Sequence, residues 1–358
     1  MAKKSNRNSR RSRGMRKLQP SEMTITIAGP STSSGSTEDY YLDLSQVASL
    51  VNRRFYRQGI NWAVAGFKFL VASGTAGSVT VSRLPNTWVM SNAWEKGMRS
   101  WNEMNKEALA ESESVRGRFL DFKIYADSTH HDKGMGANLL PAGYFAGEWI
   151  PSEIRVPNSI VNNTTSGFEL IATGDNYPGA STATGKNAVS LIQGYANSRA
   201  LPSITDPNSP GEATDAGPSA TPENWLSALH NDGVSQDSDV LNDVTAYDEP
   251  PYPFENGIDA NQFLPGTTTP NPNFGLPYTD TMYPGGQTQA PGLVIHDFVT
   301  YSATTVGGQA RGKGGNFPCG LIKFSHNVPS GTAHNVVIQL DMVPGPHRGY
   351  MCQDMKDM

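Results

Sequence analysis

Cysteine is nearly absent. The 358-residue chain has two, Cys319 and Cys352, which form neither a disulfide framework nor a zinc spacing. A reducing, intracellular setting is the expectation. Long apolar runs are missing too. The longest, Trp62–Ala72, contains Lys68 and is too short to cross a bilayer, so no membrane insertion is expected. The first residues are basic and then rich in Ser, Gly and Thr, without the apolar stretch of a secretory signal. The sequons at Asn162 and Asn163 therefore read as loop residues.

Constellations that carry chemistry are also lacking. His130-His131-Asp132 sets two imidazoles side by side, and adjacent residues rarely ligate one ion together. Neither H-E-x-x-H nor G-x-S-x-G occurs. His326 and His334 fall in or beside strands, with no carboxylate at a telling spacing. The acids of Asp237–Asp248 lack the D-x-D-x-D-G calcium loop, although they could hold calcium between subunits. Gly307–Lys313 matches G-x-x-x-x-G-K, but Gly314 stands where a magnesium-binding Ser or Thr is needed, and a strand follows instead of a helix. It reads as a flexible hairpin loop whose Arg311 and Lys313 could touch a phosphate. No enzyme, catalytic residue, metal site or cofactor is expected.

Charge, by contrast, is present and sharply divided. The first seventeen residues carry Lys3, Lys4, Arg7, Arg10, Arg11, Arg13, Arg16 and Lys17 and no acid. The chain has 28 Lys+Arg against 33 Asp+Glu; without those eight, 20 basic residues face 33 acids, a body near −13. So basic a segment, with little apolar surface, cannot offset its ordering entropy, and residues 1–22 read as a disordered arm. Its complement is a polyanion, since each neutralised phosphate releases a condensed counterion. No aromatic residue is interleaved, so the arm offers charge without stacking. A solvated tail or import signal is the plainer alternative. About twenty extended residues reach roughly 70 Å. From Ala200 to Ala310 the reverse holds: no Lys or Arg, and fourteen acids. Residues 200–290 read as an acidic, loop-rich insertion on an outer surface turned away from the arm.

Strand signals between Gly- and Pro-rich stretches favour an all-β sandwich. Met23–Ile27 alternates like a short strand, Gly29–Thr37 reads as a flexible linker, and the folded body consolidates near Tyr40. A helix from Ser45 to Gly59 puts Arg53 and Arg57 four apart on one face, with Arg54 beside them. They are either a second nucleic-acid contact or arginines paired with nearby acids. Asn61–Ala72 and Ser78–Leu84 read as strands. Thr87–Glu111 is the clearest helix, with Met90, Trp94, Met98, Trp101, Met104 and Ala108 as a core stripe and Glu95–Arg99 as an i,i+4 pair. Phe119–Tyr125, Trp149–Val156 and Gly167–Ala172 read as strands, Ser128–Gly136 as a polar turn and Ala188–Ala200 as a short helix. Leu293–Ser302, Phe317–Ser325 and His334–Val343 close the fold as strands. Residues 23–348 form one domain, and 349–358 read as a flexible tail.

Four segments carry a resemblance: LDLSQVASLVNRRFYRQG (Leu42–Gly59), NTWVMSNAWEKGMRSWNEMNKE (Asn86–Glu107), RFLDFKIYAD (Arg118–Asp127) and NLLPAG (Asn138–Gly143). They resemble capsid proteins of circular, replication-initiator-encoding single-stranded DNA (CRESS-DNA) viruses. The resemblance implies a viral jelly-roll β-sandwich with long surface loops and the helix as an inter-strand insertion. It implies self-assembly with other copies into an icosahedral shell, and packaging of a single-stranded DNA genome by the arm. The expected location is the virion, and the host nucleus during assembly; no host receptor is indicated. A non-capsid nucleic-acid-binding β-sandwich is the alternative, and an enzyme or carbohydrate-binding jelly roll a third reading.

Overall fold

The structure, a computed structural model, describes residues 20–110, 121–159, 164–177, 179, 182–197, 226 and 292–358. The arm residues Lys3–Lys17, the acidic stretch 200–290 apart from Leu226, and the sequon asparagines Asn162 and Asn163 lie outside the described residues. In chain order the elements are β1 (Thr24–Thr32), β2 (Ser36–Asp43), α1 (Leu44–Asn52), β3 (Ile60–Leu70), β4 (Gly77–Arg83), α2 (Trp88–Ala110), α3 (Ser128–Lys133), β5 (Glu153–Ser159), β6 (Thr164–Ile171), β7 (Asn187–Ser190), α4 (Leu191–Asn197), β8 (Val294–Tyr301), β9 (Gln309–Phe317), β10 (Leu321–Val328), β11 (His334–Met342), β12 (Pro344–Gly345), β13 (Gly349–Tyr350) and β14 (Cys352–Asp354).

The described chain is mostly antiparallel β-sheet with few helices, in keeping with an all-β sandwich. One sheet has the order β1-β11-β3-β14, with β9 also on β3; the other runs β2-β10-β4-β8. Period-two burial builds the core between them. Ile25 and Ile27 of β1, and Val336, Ile338, Leu340 and Met342 of β11, face inward while their neighbours are less buried. Phe67, Phe69, Phe317 and Phe324 meet there, Phe67 lying edge-on to Phe317 at 5.5 Å and to Phe324 at 5.8 Å. Each such buried ring contributes roughly 1.5–3 kcal/mol from area alone.

A second cluster packs α2 and α4 on β5-β6-β7, where β6 and β7 run parallel. The stripe on α2 behaves as its spacing predicts. Met90, Trp94 and Trp101 are buried, Met98 and Met104 partly so, and Arg99 pairs with Glu95 at 2.8 Å. Among the described residues no helix is long and apolar enough to cross a membrane.

Several expectations need correction. Gly29–Thr37 is no linker: it holds the end of β1, a turn at Gly35 and the start of β2. Residues 121–124 form no strand, and Tyr125 makes only an isolated bridge to Ile171. Ala188–Ser190 belongs to β7, so the expected helix there begins at Leu191. Ser128–Lys133 is helical, capped by the Asp127 carboxylate. Trp149 precedes β5, and its indole donates to Asp43 at 2.9 Å. The strand expected over Phe317–Ser325 is broken at Pro318–Gly320, where Cys319 takes φ 56°.

The largest correction is β9. Most of the expected flexible loop Gly307–Lys313 is a strand along β3, with Arg311 opposite Lys68. Its glycines hid it. A Cβ on Gly314 would come within 2.2 Å of the Ala65 carbonyl oxygen, so the close approach needs glycine. Nor is 349–358 a flexible tail: β14 pairs with Ile60–Trp62, and Met355 is buried in the second cluster.

Candidate nucleic-acid interface

The candidate face forms where α1 ends. Asp43 Oδ1 caps the helix by accepting from the Ser45 and Gln46 amides at 2.8 and 3.4 Å. The helix stops at Asn52, and Arg53 turns left-handed at φ 51°. The chain then folds back along α1. Ser49 Oγ accepts from the Tyr56 amide at 2.9 Å, and Ser45 Oγ donates to the Arg57 carbonyl at 3.0 Å. This buries Tyr56 against Trp62 and Tyr350, at ring separations of 5.7 and 5.6 Å. Arg53, Arg54 and Arg57 are therefore not on a helix, as the spacing suggested. They sit on a loop pinned by Tyr56, with Arg53 and Arg57 exposed.

The structure adds a fourth arginine. Arg348, between β12 and β13, is exposed and also left-handed, at φ 50°. Its guanidinium donates to the Phe55 carbonyl and lies 6.0 Å from the centre of the Tyr56 ring. Its own carbonyl accepts from Tyr56 Oη at 3.0 Å and from Ser21 Oγ at 2.7 Å. No spacing in the sequence points to Arg348. It reaches the loop only through the path of β11, β12 and β13.

The first described residues arrive at the same place. Pro20 O accepts from Arg54 Nη1 at 3.0 Å, the Glu22 amide donates to Asn52 Oδ1 at 3.0 Å, and Glu22 O accepts from Tyr350 Oη at 2.7 Å. Lys17 precedes Pro20 by three residues, a chain length of about 10 Å. Pro20 and Ser21, just after the basic segment, thus meet Arg348 and Arg54, the latter in the loop that also carries Arg53 and Arg57. Glu22 and Asp354 are exposed, and the Asp121 carboxyl interacts with Arg57.

Backbone strain gathers here as well. Among the described residues only Arg53, Cys319 and Arg348 have positive φ without being glycine. Glycine would adopt this conformation at no steric cost, whereas another residue is strained by about 1 kcal/mol or more. Two arginines are kept where glycine would serve the backbone better.

Beside them lies a cavity of about 340 Å³. Phe55, Trp94, Trp101 and Phe122 bring aromatic rings to its lining, Asp121 a carboxyl, and Arg57 and Arg348 also line it. Gly59 closes against Trp94, where a Cβ would fall 2.1 Å from the indole ring. Burial pushes the Asp121 carboxyl up to about 6, against the opposing pull of Lys123 at 3.8 Å and a hydrogen bond from the Gln58 amide.

The other basic and histidine candidates lie elsewhere or are occupied. Arg311 and Lys313 pair opposite Lys68 and Gly66, whereas Arg57 sits near the Ile60 end of β3. Eight residues of strand separate Ile60 from Lys68, roughly 26 Å. His130 accepts from the Ala126 amide at Nδ1 and bonds Asn138 through Nε2. His131 bonds Glu169 at 2.9 Å and the Tyr177 hydroxyl. His326 and His334 both reach Tyr301 Oη at 2.6 Å. Comparison of the chain with family models, curated proteins and solved structures gives no match.

Proposed function

We propose that this protein is a capsid protein whose β-sandwich assembles with its own copies into a closed shell, and whose arm, Lys3–Lys17, neutralises the phosphates of a packaged single-stranded DNA genome. The observation that carries the reading is the meeting of Pro20 and Ser21, just after the basic segment, with Arg348 and with Arg54, beside Arg53 and Arg57 in the same loop. One surface then collects both sources of positive charge, as a lining for nucleic acid requires. DNA rather than RNA rests on the resemblance, since both carry phosphates. The jelly-roll form of the sandwich is part of the proposal. Counting the eight strands of the two large sheets in chain order, without β14, one sheet runs first, eighth, third, sixth and the other second, seventh, fourth, fifth. That order supports a double Greek key. All of 84–293, with α2, α4 and the acidic stretch, is then one long connection between the fourth and fifth strands.

The test is electron microscopy of the purified full-length protein, with its absorbance ratio at 260 and 280 nm. Uniform closed particles containing nucleic acid are expected. A variant with the eight arm residues changed to Gln should fold and give particles depleted of nucleic acid. A wild-type protein that stays monomeric across salt and pH yet binds DNA would overturn the shell and favour the non-capsid reading. Normal packaging by the Gln variant would overturn the role of the arm.

A further inference from the structure

We infer that the cavity beside Arg57 and Arg348 receives one unstacked base of a bound single-stranded nucleic acid, with the flanking phosphates on the two guanidinium groups. The inference rests on the polyanion-binding reading and goes further, because the arm itself offers no aromatic surface.

Three features carry it. The first is size and lining: about 340 Å³, walled by the rings of Trp94, Trp101 and Phe122, lies within the range of small-molecule sites. A flat π-face is what a base stacks on, whatever its identity. The second is the placing of charge. Arg57 and Arg348 are exposed while Asp121 and the rings are buried, so cations stand outside and aromatic walls within. A nucleotide has the same polarity, with phosphate at the outer end and a planar ring at the inner. The third is Asp121 itself, 8% exposed. Its carboxylate accepts hydrogen bonds and so suits an N–H on a base edge, such as the exocyclic amine of cytosine. The strained backbone at Arg348 adds weight, since it holds a guanidinium where glycine would be easier.

The site differs from the arm in what it reads. The arm binds phosphate and is indifferent to bases; the cavity would contribute only when a base is present. A short oligodeoxycytidylate and its abasic counterpart carry the same phosphates, so their affinities for the full-length protein separate the two. About tenfold tighter binding of the base-bearing strand is expected. Phe55→Ala, which removes a ring from the cavity lining, should shrink that ratio toward one, whereas Arg57→Ala, which removes a phosphate contact, should weaken both strands alike. An oligonucleotide carrying 5-iododeoxycytidine should photocross-link to peptides containing Trp94, Trp101 or Phe122 in the wild-type protein. Equal affinities with cross-links only outside the cavity would overturn the inference and leave polyanion binding intact. Failure of both strands to bind would overturn the inference together with the reading beneath it. If Phe55→Ala lowered particle yield and left the affinity ratio unchanged, the cavity would be a contact between copies of the chain, and the inference would be wrong.

Discussion

Two ends of the molecule concentrate polar side chains, in opposite ways. At the histidine end, every partner is inside. His334 Nδ1 faces only the Thr332 carbonyl, at 3.0 Å, so it must donate there. With Nδ1 the donor, Nε2 is the acceptor for the Tyr301 hydroxyl, at 2.6 Å. The Tyr301 oxygen is left to accept from His326 Nε2, also at 2.6 Å. His326 Nδ1 in turn accepts from Thr32 Oγ1 at 2.8 Å, and Thr32 accepts from Tyr40 Oη at 3.0 Å. One proton order satisfies the chain, which ties β1 and β11 of one sheet to β2, β8 and β10 of the other. At the arginine face, two cations sit on strained backbone and four gather near a basic segment. A saturated network is built for stability. On the proposed reading, the charge held at a conformational cost serves a polyanion outside the fold.

The largest effect that would sharpen this contrast is acid. Burial lowers His326 and His130 to about 4, so the unfolded chain binds protons the folded one refuses. Their contribution is full above the ordinary histidine value and is lost as pH falls from about 6.5 through 4, at roughly 2–3 kcal/mol each. Asp121 opposes them. Its raised folded value makes protonation favour the native state as pH falls from about 6 toward 3.8. Urea unfolding across this window should therefore show acid destabilisation that steepens in Asp121→Asn. An unchanged slope would refute the opposition.

Next comes Tyr301→Phe. It strands a donor on His326 and an acceptor on His334, at about 3 kcal/mol for the two buried groups. Chemical denaturation should show this, with the oligonucleotide affinity of the folded protein unchanged. Changing Arg53, Arg54 and Arg57 together to Ala should do the reverse. Stability should move by under about 1 kcal/mol, while the slope of log affinity on log salt shrinks by roughly 0.7 per lost phosphate contact. An unchanged slope would remove this face from the interface. The smallest effect is the most pointed: Arg53→Gly should stabilise the fold by about 0.5–1 kcal/mol and weaken binding. Stabilisation without loss of binding would mean that the strain serves nothing external.

Legibility followed the range of the interactions. Helix α2 was readable because its apolar side chains recur within a turn or two, β1 and β4 because apolar residues alternate along them, β3 because it is a long apolar run, and β11 because it is rich in β-branched residues. The reading of α1 overran because apolar spacing continued to Phe55, while the left-handed turn at Arg53 depends on burying Tyr56 beside Tyr350, far along the chain. Strand β9 was missed because glycines that signal a loop locally are required by close contact with β3. The three arginines of the site were seen in the sequence; Arg348 and the cavity were not.

The sequence by itself determined the division of charge, the long amphipathic helix and the β character of the body, since composition and short periods need no partner. Only the tertiary structure decided that Arg348 meets Phe55, that Pro20 and Ser21 meet Arg54 and Arg348, and that Tyr301 joins two histidines. Those meetings are set by antiparallel register between strands far apart in the chain. A shift of one residue there turns each side chain to the other face.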